Sequence, residues 1–182
     1  MSITRLVYTV CFLKQKDKLL MLNRESQPNM GLWNGVGGKI EPGESAQESV
    51  IREVREETGM VVDQVQFGGI VTWEASLPQT DKPAKEGMYL FLAELPEDME
   101  ITPVQKMEEG ILAWKEISWV MNTKNLGIAS NIRSFLPNLL AGHEPREYFC
   151  TYQQDQFSNC EVLPLPKQID PMIINRFPQF FT

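Results

Sequence analysis

The chain has one histidine, His143, and three cysteines, Cys11, Cys150 and Cys160, among 182 residues. A single imidazole cannot build a histidine-based zinc site, and His143 sits beside Gly142 in a polar stretch that reads as a solvated loop. The cysteines are far apart in sequence and form no CxxC pair. A reducing compartment, the cytoplasm, is therefore expected rather than a disulfide scaffold. Basic charge is also scarce: 17 Lys and Arg face 24 Asp and Glu, for a net charge of −7. Holding a nucleic-acid polymer by its phosphates needs a basic face, so no such partner is expected. No apolar run approaches the ~20 residues of a membrane helix, and the first fifteen residues lack a signal-peptide cleavage site. No membrane association is expected.

What is present suits a folded domain. Hydrophobic residues make up 42% and charged residues 23%, ordinary values for globular proteins, and the length fits one domain over 1–182. Within it, 164–182 reads as a C-terminal tail carrying Phe177, Phe180 and Phe181 among prolines. Ile3 to Leu13 and Lys18 to Leu22 read as a hairpin. Further strands are expected at Val65 to Trp73, Met88 to Leu95 and Ile111 to Lys115, with a late hairpin from Glu147 to Tyr152 and Cys160 to Leu163. Thr80 to Glu86 reads as a charged hairpin loop. Ile132, Phe135, Leu136, Leu139 and Leu140 repeat at helical spacing inside Ser130 to Leu140, where Pro137 predicts a kink or an early end.

The strongest helix signal lies at Ser45 to Thr58. Ser45 followed by Glu48 is a capping box, Ala46, Val50 and Val54 form an apolar stripe, and Gly59 stands where a left-handed cap is wanted. On this helix Glu53, Glu56 and Glu57 lie at i, i+3 and i+4 and share a face. Arg52 is placed to brace them, and Glu44 precedes the helix. Two such carboxylates at ~5 Å repel by roughly 3 kcal/mol at an effective dielectric of 20, and a bound hard cation, magnesium or manganese, would reverse that repulsion. As charges alone they equally suit a solvated acidic face, because exposed like-charge pairs cost only ~0.2 to 0.5 kcal/mol.

The complete spacing separates the two readings. Gly38, Glu44, Arg52, Glu53, Val54, Glu56, Glu57, Gly59 and Met60 match G-x5-E-x7-R-E-U-x-E-E-x-G-U, U being apolar, at every fixed position. Chance would produce that on the order of once in ten million at average residue usage. The stretch resembles the Nudix box, and the chain resembles Nudix hydrolases of the MutT-like kind over about residues 3 to 165.

That resemblance implies an α/β fold: an α/β/α sandwich with a mixed β-sheet and a loop–helix–loop catalytic motif. It implies metal-dependent hydrolysis of a nucleoside triphosphate, with 8-oxo-dGTP or a related oxidised purine nucleotide as candidate, to a nucleoside monophosphate and pyrophosphate. Magnesium or manganese would be the cofactor. Glu53, Glu57 and the carbonyl of Gly38 would hold the metal, with Glu56 a further ligand or a holder of metal-bound water; Glu44 would serve as an outer or second-metal group, and Arg52 would orient the glutamates. Glu53 would be the base, or else a loop glutamate. Glu109 matches that loop position best, with Glu108 the near alternative.

Substrate contacts would come from Arg24, Asn34, Lys39 and Asn122. The run Gly31 to Lys39 (GLWNGVGGK) looks like the approach segment of oxidised-purine sanitising enzymes, in which an asparagine at the place of Asn34 contacts the nucleoside. The adjacent aspartates of the animal enzymes are missing from Asn122 to Asn131, where Asn122 and Asn125 offer amides instead. Trp33 is expected in the core rather than as a stacking platform. The competing readings are a hydrolase of another nucleoside diphosphate derivative (a nucleotide sugar, dinucleoside polyphosphate or guanosine tetraphosphate) and a catalytically silent nucleotide-binding domain. A monomer and a homodimer fit equally.

Overall fold

The computed structural model describes residues 3–75, 84–100, 102, 104–154, 156–167 and 169. In chain order these form β1 (Ile3–Gln15), β2 (Lys18–Arg24), β3 (Trp33–Asn34), α1 (Ala46–Thr58), β4 (Gln66–Ala75), β5 (Ala84–Glu94), β6 (Val104–Lys106), β7 (Gly110–Glu116), α2 (Ile117–Met121), α3 (Ile132–Leu140), β8 (Arg146–Gln153) and β9 (Gln156–Leu163). Among the described residues the strands make one sheet in the order β6-β7-β2-β1-β5-β4-β8-β9, with β3 paired to β2. The β1–β5 and β4–β8 pairs are parallel and the remaining pairs antiparallel, so the sheet is mixed.

Period-two alternation along β1 divides the core between the two faces of the sheet. Cys11 and Leu13 join Ala46, Val50 and Val54 of α1 on one side. Val10 and Phe12 join Ile132, Phe135, Leu136 and Leu139 of α3, with Val120 of α2, on the other. The layers are helix, sheet, helix. No described helix is long and apolar enough to cross a membrane.

The helix starts and stops follow the local chemistry. Ser45 caps α1 with both capping-box bonds made, and Gly59 ends it at φ 72°, a left-handed conformation that glycine adopts without a steric penalty. Pro137 does not end α3 early. Its ring faces outward near the C-terminal end and the helix runs through to Leu140. The late hairpin is present and longer than expected.

Several elements differ from the sequence reading. Neither β6 nor α2 was expected: one is three residues long and exposed, the other a five-residue helix. Of the Thr80 to Glu86 loop, residues 84–86 belong to β5, paired with Glu74, Lys85's partner across β4, and its neighbours; the preceding residues 76–83 lie outside the described residues. Of the tail, Leu165 and Ile169 pack into the α1-side core; Phe177, Phe180 and Phe181 lie outside the described residues. Cys150 and Cys160, distant in sequence, stand opposite one another across β8 and β9.

Candidate active site

The glycine-rich segment after β3 brings the chain under the carboxylates of α1. Val36 pairs with Cys11, and Lys39 with Tyr8, which pins the segment alongside β1. Gly38 is held so close to Glu53 that a Cβ there would lie 2.5 Å from its Oε1, and any larger residue would have to displace that carboxylate. The carbonyl of Gly38 accepts the Thr9 N–H at 2.8 Å, which leaves its second lone pair unassigned.

Arg52 organises the acids from behind. Its Nε and Nη2 donate to the two oxygens of Glu44 at 2.6 and 3.0 Å. Its Nη1 donates to Glu53 and Glu56, each at 2.9 Å. A fifth bond from Nη2 to the Lys39 carbonyl, 3.2 Å, ties the helix to the loop. The guanidinium beside Glu44 holds that carboxyl below the usual carboxylate range. Burial outweighs the same arginine at Glu53 and pushes its carboxyl up. At Glu57 burial dominates and raises the carboxyl to about 7, with Glu53 and Glu109 adding repulsion, while the Gly37 N–H and Arg24 oppose the rise. Gly37 donates to Glu57 Oε2 at 2.7 Å.

Above these acids opens a cavity of about 780 Å³. Its lining includes Gly38, Lys39, Glu53, Glu57, Arg24 and Glu109 together with Asn34, Trp73, Glu86, Met88, Asn131 and Tyr152. Thr9 and Val10 of β1 also line it. Two buried cavity-lining groups, the Thr9 hydroxyl and the Arg24 Nε, have no hydrogen-bond partner among the described residues. Arg24 reaches toward Glu109 across the mouth, Nη2 to Oε2 4.0 Å.

Glu53, Glu57, Gly38, Arg24, Asn34, Lys39 and Glu109 are thus brought together. Three other expected residues are placed differently. Glu56 is 60% exposed, turned outward onto Arg52, and does not line the cavity. Asn122 is exposed at the end of α2, where its amide oxygen accepts the Lys124 N–H, and it is also absent from the lining. Asn125 likewise serves its own loop, with bonds to Gly127 and Trp119. The amide that does face the cavity from this region is Asn131, one residue before α3, and no local signal distinguished it from its neighbours. Glu108, the alternative to Glu109, does not line the cavity. Trp33 packs edge-on against Trp119, with Lys115 over its face, outside the cavity. Asn34 does both things its position allows, accepting from Gly35 N–H as a turn residue while lining the cavity.

The donor set suits a hard divalent cation. Two carboxylates share a partly dehydrated space in which burial raises the proton affinity of both and Glu53 adds to the rise at Glu57, and a carbonyl lies beside them. Among the described residues no three acids, thiols or imidazoles converge on one point. Magnesium is commonly bound by only one or two carboxylates, with waters and substrate phosphates completing the shell.

Comparison with known proteins places this architecture. The NUDIX domain model matches residues 4–139. The chain is 36% identical over 115 residues to an uncharacterised Nudix hydrolase, YvcI, of Bacillus subtilis, covering 63% of this chain and 68% of that protein. It is 35% identical over 74 residues to the oxidised purine nucleoside triphosphate hydrolase of Mus musculus, covering 41% of this chain and less than half, 47%, of the mouse protein. Among solved structures, a MutT protein from Bacillus halodurans superposes with a TM-score of 0.68 at 26% identity, covering 87% of this chain and 98% of that one. The chain belongs to the Nudix family and is a Nudix hydrolase. Its fold is that of the MutT proteins, and such hydrolases generally use divalent metals.

Proposed function

We propose that the chain is a metal-dependent nucleoside triphosphate pyrophosphohydrolase, with oxidised purine nucleotides such as 8-oxo-dGTP as the first candidate substrates. The observation that carries this reading is the make-up of one cavity, which is lined by the acids Glu53, Glu57 and Glu109 with the cations Arg24 and Lys39, and also by the aromatic, thioether and amide groups of Trp73, Met88, Asn34 and Asn131. A nucleotide is built the same way, with charged phosphates joined to a flat base rich in donors and acceptors.

In this reading Arg24 and Lys39 meet phosphate oxygens, and the orphaned Arg24 Nε gains an acceptor. Asn34, Asn131 and the Thr9 hydroxyl offer hydrogen bonds to the nucleoside, and Trp73 and Met88 offer apolar surface to the base. Glu53, Glu57 and the Gly38 carbonyl would hold magnesium or manganese, which when bound neutralises phosphate charge and stabilises the charge that develops as the P–O bond breaks. Glu53 or Glu109 takes the proton of the attacking water. Arg52 acts behind them, fixing Glu53 through Nη1. Glu56 belongs to that brace.

The supporting experiment is a panel of canonical and oxidised ribo- and deoxyribonucleoside triphosphates, each with magnesium, manganese or EDTA, with products separated by chromatography. Release of monophosphate and pyrophosphate that depends on metal is expected. Absence of metal-dependent turnover of every member would overturn the reading.

A further inference from the structure

Outside the catalytic chemistry, the β8–β9 ribbon carries a pair of thiols. We infer that Cys150 and Cys160 form a dithiol site that hydroperoxides oxidise to a cross-strand disulfide, and that Asn131 passes its redox state to the wall of the cavity.

The geometry begins with register. Cys150 and Cys160 are directly opposed in the antiparallel pair, so both side chains leave the same face of the ribbon. Opposed residues in such a pair have Cα atoms about 4.5 to 5.5 Å apart, within the range of about 4.4 to 6.8 Å that a disulfide spans. The face they share is the α3 side, where Cys150 belongs to the core and Cys160 packs against it.

Their exposure divides the chemical roles. Cys160 is partly exposed on β9, at the end of the strand order, whereas Cys150 is fully buried. The dominant influence on each thiol is the other, which lowers Cys160 and raises Cys150, and Ser134 of α3 lowers Cys160 further. Exposure thus makes Cys160 the sulfur that a hydroperoxide reaches and Cys150 its buried partner. Cys11 is neither reachable nor activated: it is fully buried and pushed up to about 12 by that burial.

The reaction balances in two steps. The Cys160 thiolate attacks the peroxide O–O bond and becomes a sulfenic acid, and the departing oxygen takes up a proton to leave as water or an alcohol. The Cys150 thiol then attacks the sulfenic sulfur and the S–S bond forms. The hydroxide released takes the Cys150 proton and leaves as water. Two thiols are oxidised and one hydroperoxide is reduced.

The link to the cavity is short. The Asn131 side chain interacts with both Cys150 and Tyr152, and Asn131 and Tyr152 both line the cavity. Tyr152 follows Cys150 by two residues, across a register shift between Thr151 and Tyr152. Drawing the sulfurs into a bond removes the thiol that Asn131 faces.

Reduced full-length protein treated with hydrogen peroxide, then alkylated and analysed as intact mass and as peptides, tests this. The expected result is a loss of two hydrogens, one thiol left for alkylation after denaturation, and a Cys150–Cys160 linked peptide, all reversed by dithiothreitol. Cys160→Ser should abolish the loss of two hydrogens, and Cys11→Ser should leave it intact. The wild-type peptide map decides the matter even if a variant fails to fold. Oxygen addition to Cys160 without linkage, a bond involving Cys11, or a bond between chains would overturn the dithiol assignment. Amide hydrogen exchange reads the coupling without any nucleotide, so it is independent of the proposed activity. Altered protection around Asn131 and Tyr152 on oxidation is expected, and unchanged protection there would overturn the coupling.

Discussion

Replacing Glu57 by glutamine should make the metal-free protein more stable at alkaline pH while nearly abolishing turnover. Glu57 is 6% exposed, and its carboxyl is raised from the ordinary 4.5 to about 7, chiefly by burial. Below pH 4.5 both folded and unfolded chains hold the proton, and the residue has no effect on their balance. Between 4.5 and about 7 the unfolded chain releases the proton and the folded chain keeps it, so stability falls as pH rises. Above 7 the folded state carries the whole cost, about 3 kcal/mol for a displacement of that size.

Glutamine has no charge to bury, and its carbonyl can still accept the Gly37 N–H. The Gly37 bond to the charged form is already contained in the raised value, so glutamine stands in for the protonated acid. The gain at pH 8 is about 3 kcal/mol, or roughly 6 to 12 °C for a domain of this size. Thermal unfolding of both proteins in EDTA, from pH 4.5 to 8, measures it: the two curves should meet at the acid end and separate as pH rises. Magnesium should raise the wild-type midpoint and leave the variant's unchanged, and the variant's rate should fall at least about a hundredfold, as the loss of a metal-holding charge implies. Parallel pH curves would refute the electrostatic argument. Wild-type turnover in the variant would refute the role given to Glu57.

Other positions offer independent checks. Gly38→Ala places a methyl against the Glu53 carboxylate, which Arg52 holds from the far side, so turnover should drop at least about tenfold in steady-state assays, in line with the sensitivity of catalysis to small displacements. Ser45→Ala removes the side chain that accepts from Glu48 N–H, and should cost about 1 kcal/mol in urea denaturation with the kinetic constants little changed. Arg24→Ala should raise KM for the nucleotide by about tenfold, the equivalent of one charge-assisted hydrogen bond, with a smaller effect on kcat.

Much of the acidic half of the site was legible because its information is local. The carboxylates that share a face of α1, the arginine that braces them and the caps at both ends all lie between Glu44 and Gly59, where helical spacing converts sequence distance directly into neighbourhood. Even there, spacing alone does not say which acids line the cavity, and Glu56 is not among them. Three and four residues separate it from Glu53 and Arg52, and the Arg52 bond, not the cavity, claimed its carboxylate. Asn122 stands outside the lining for a different reason: amides in a loop compete to satisfy their own backbone, and Asn122 and Asn125 are occupied in that way.

By itself, the sequence determined the loop–helix–loop, its charges and its membership of the Nudix family, because these rest on contacts between residues a few positions apart. The rest of the cavity lining was decided by tertiary structure. Trp73, Met88, Asn131 and Tyr152 come from four separate segments that meet only because β4, β5 and β8 are neighbours in the sheet. The cysteines show the same division. Ten positions apart in the chain, they became partners through the β8–β9 register, which no pattern around either thiol announces.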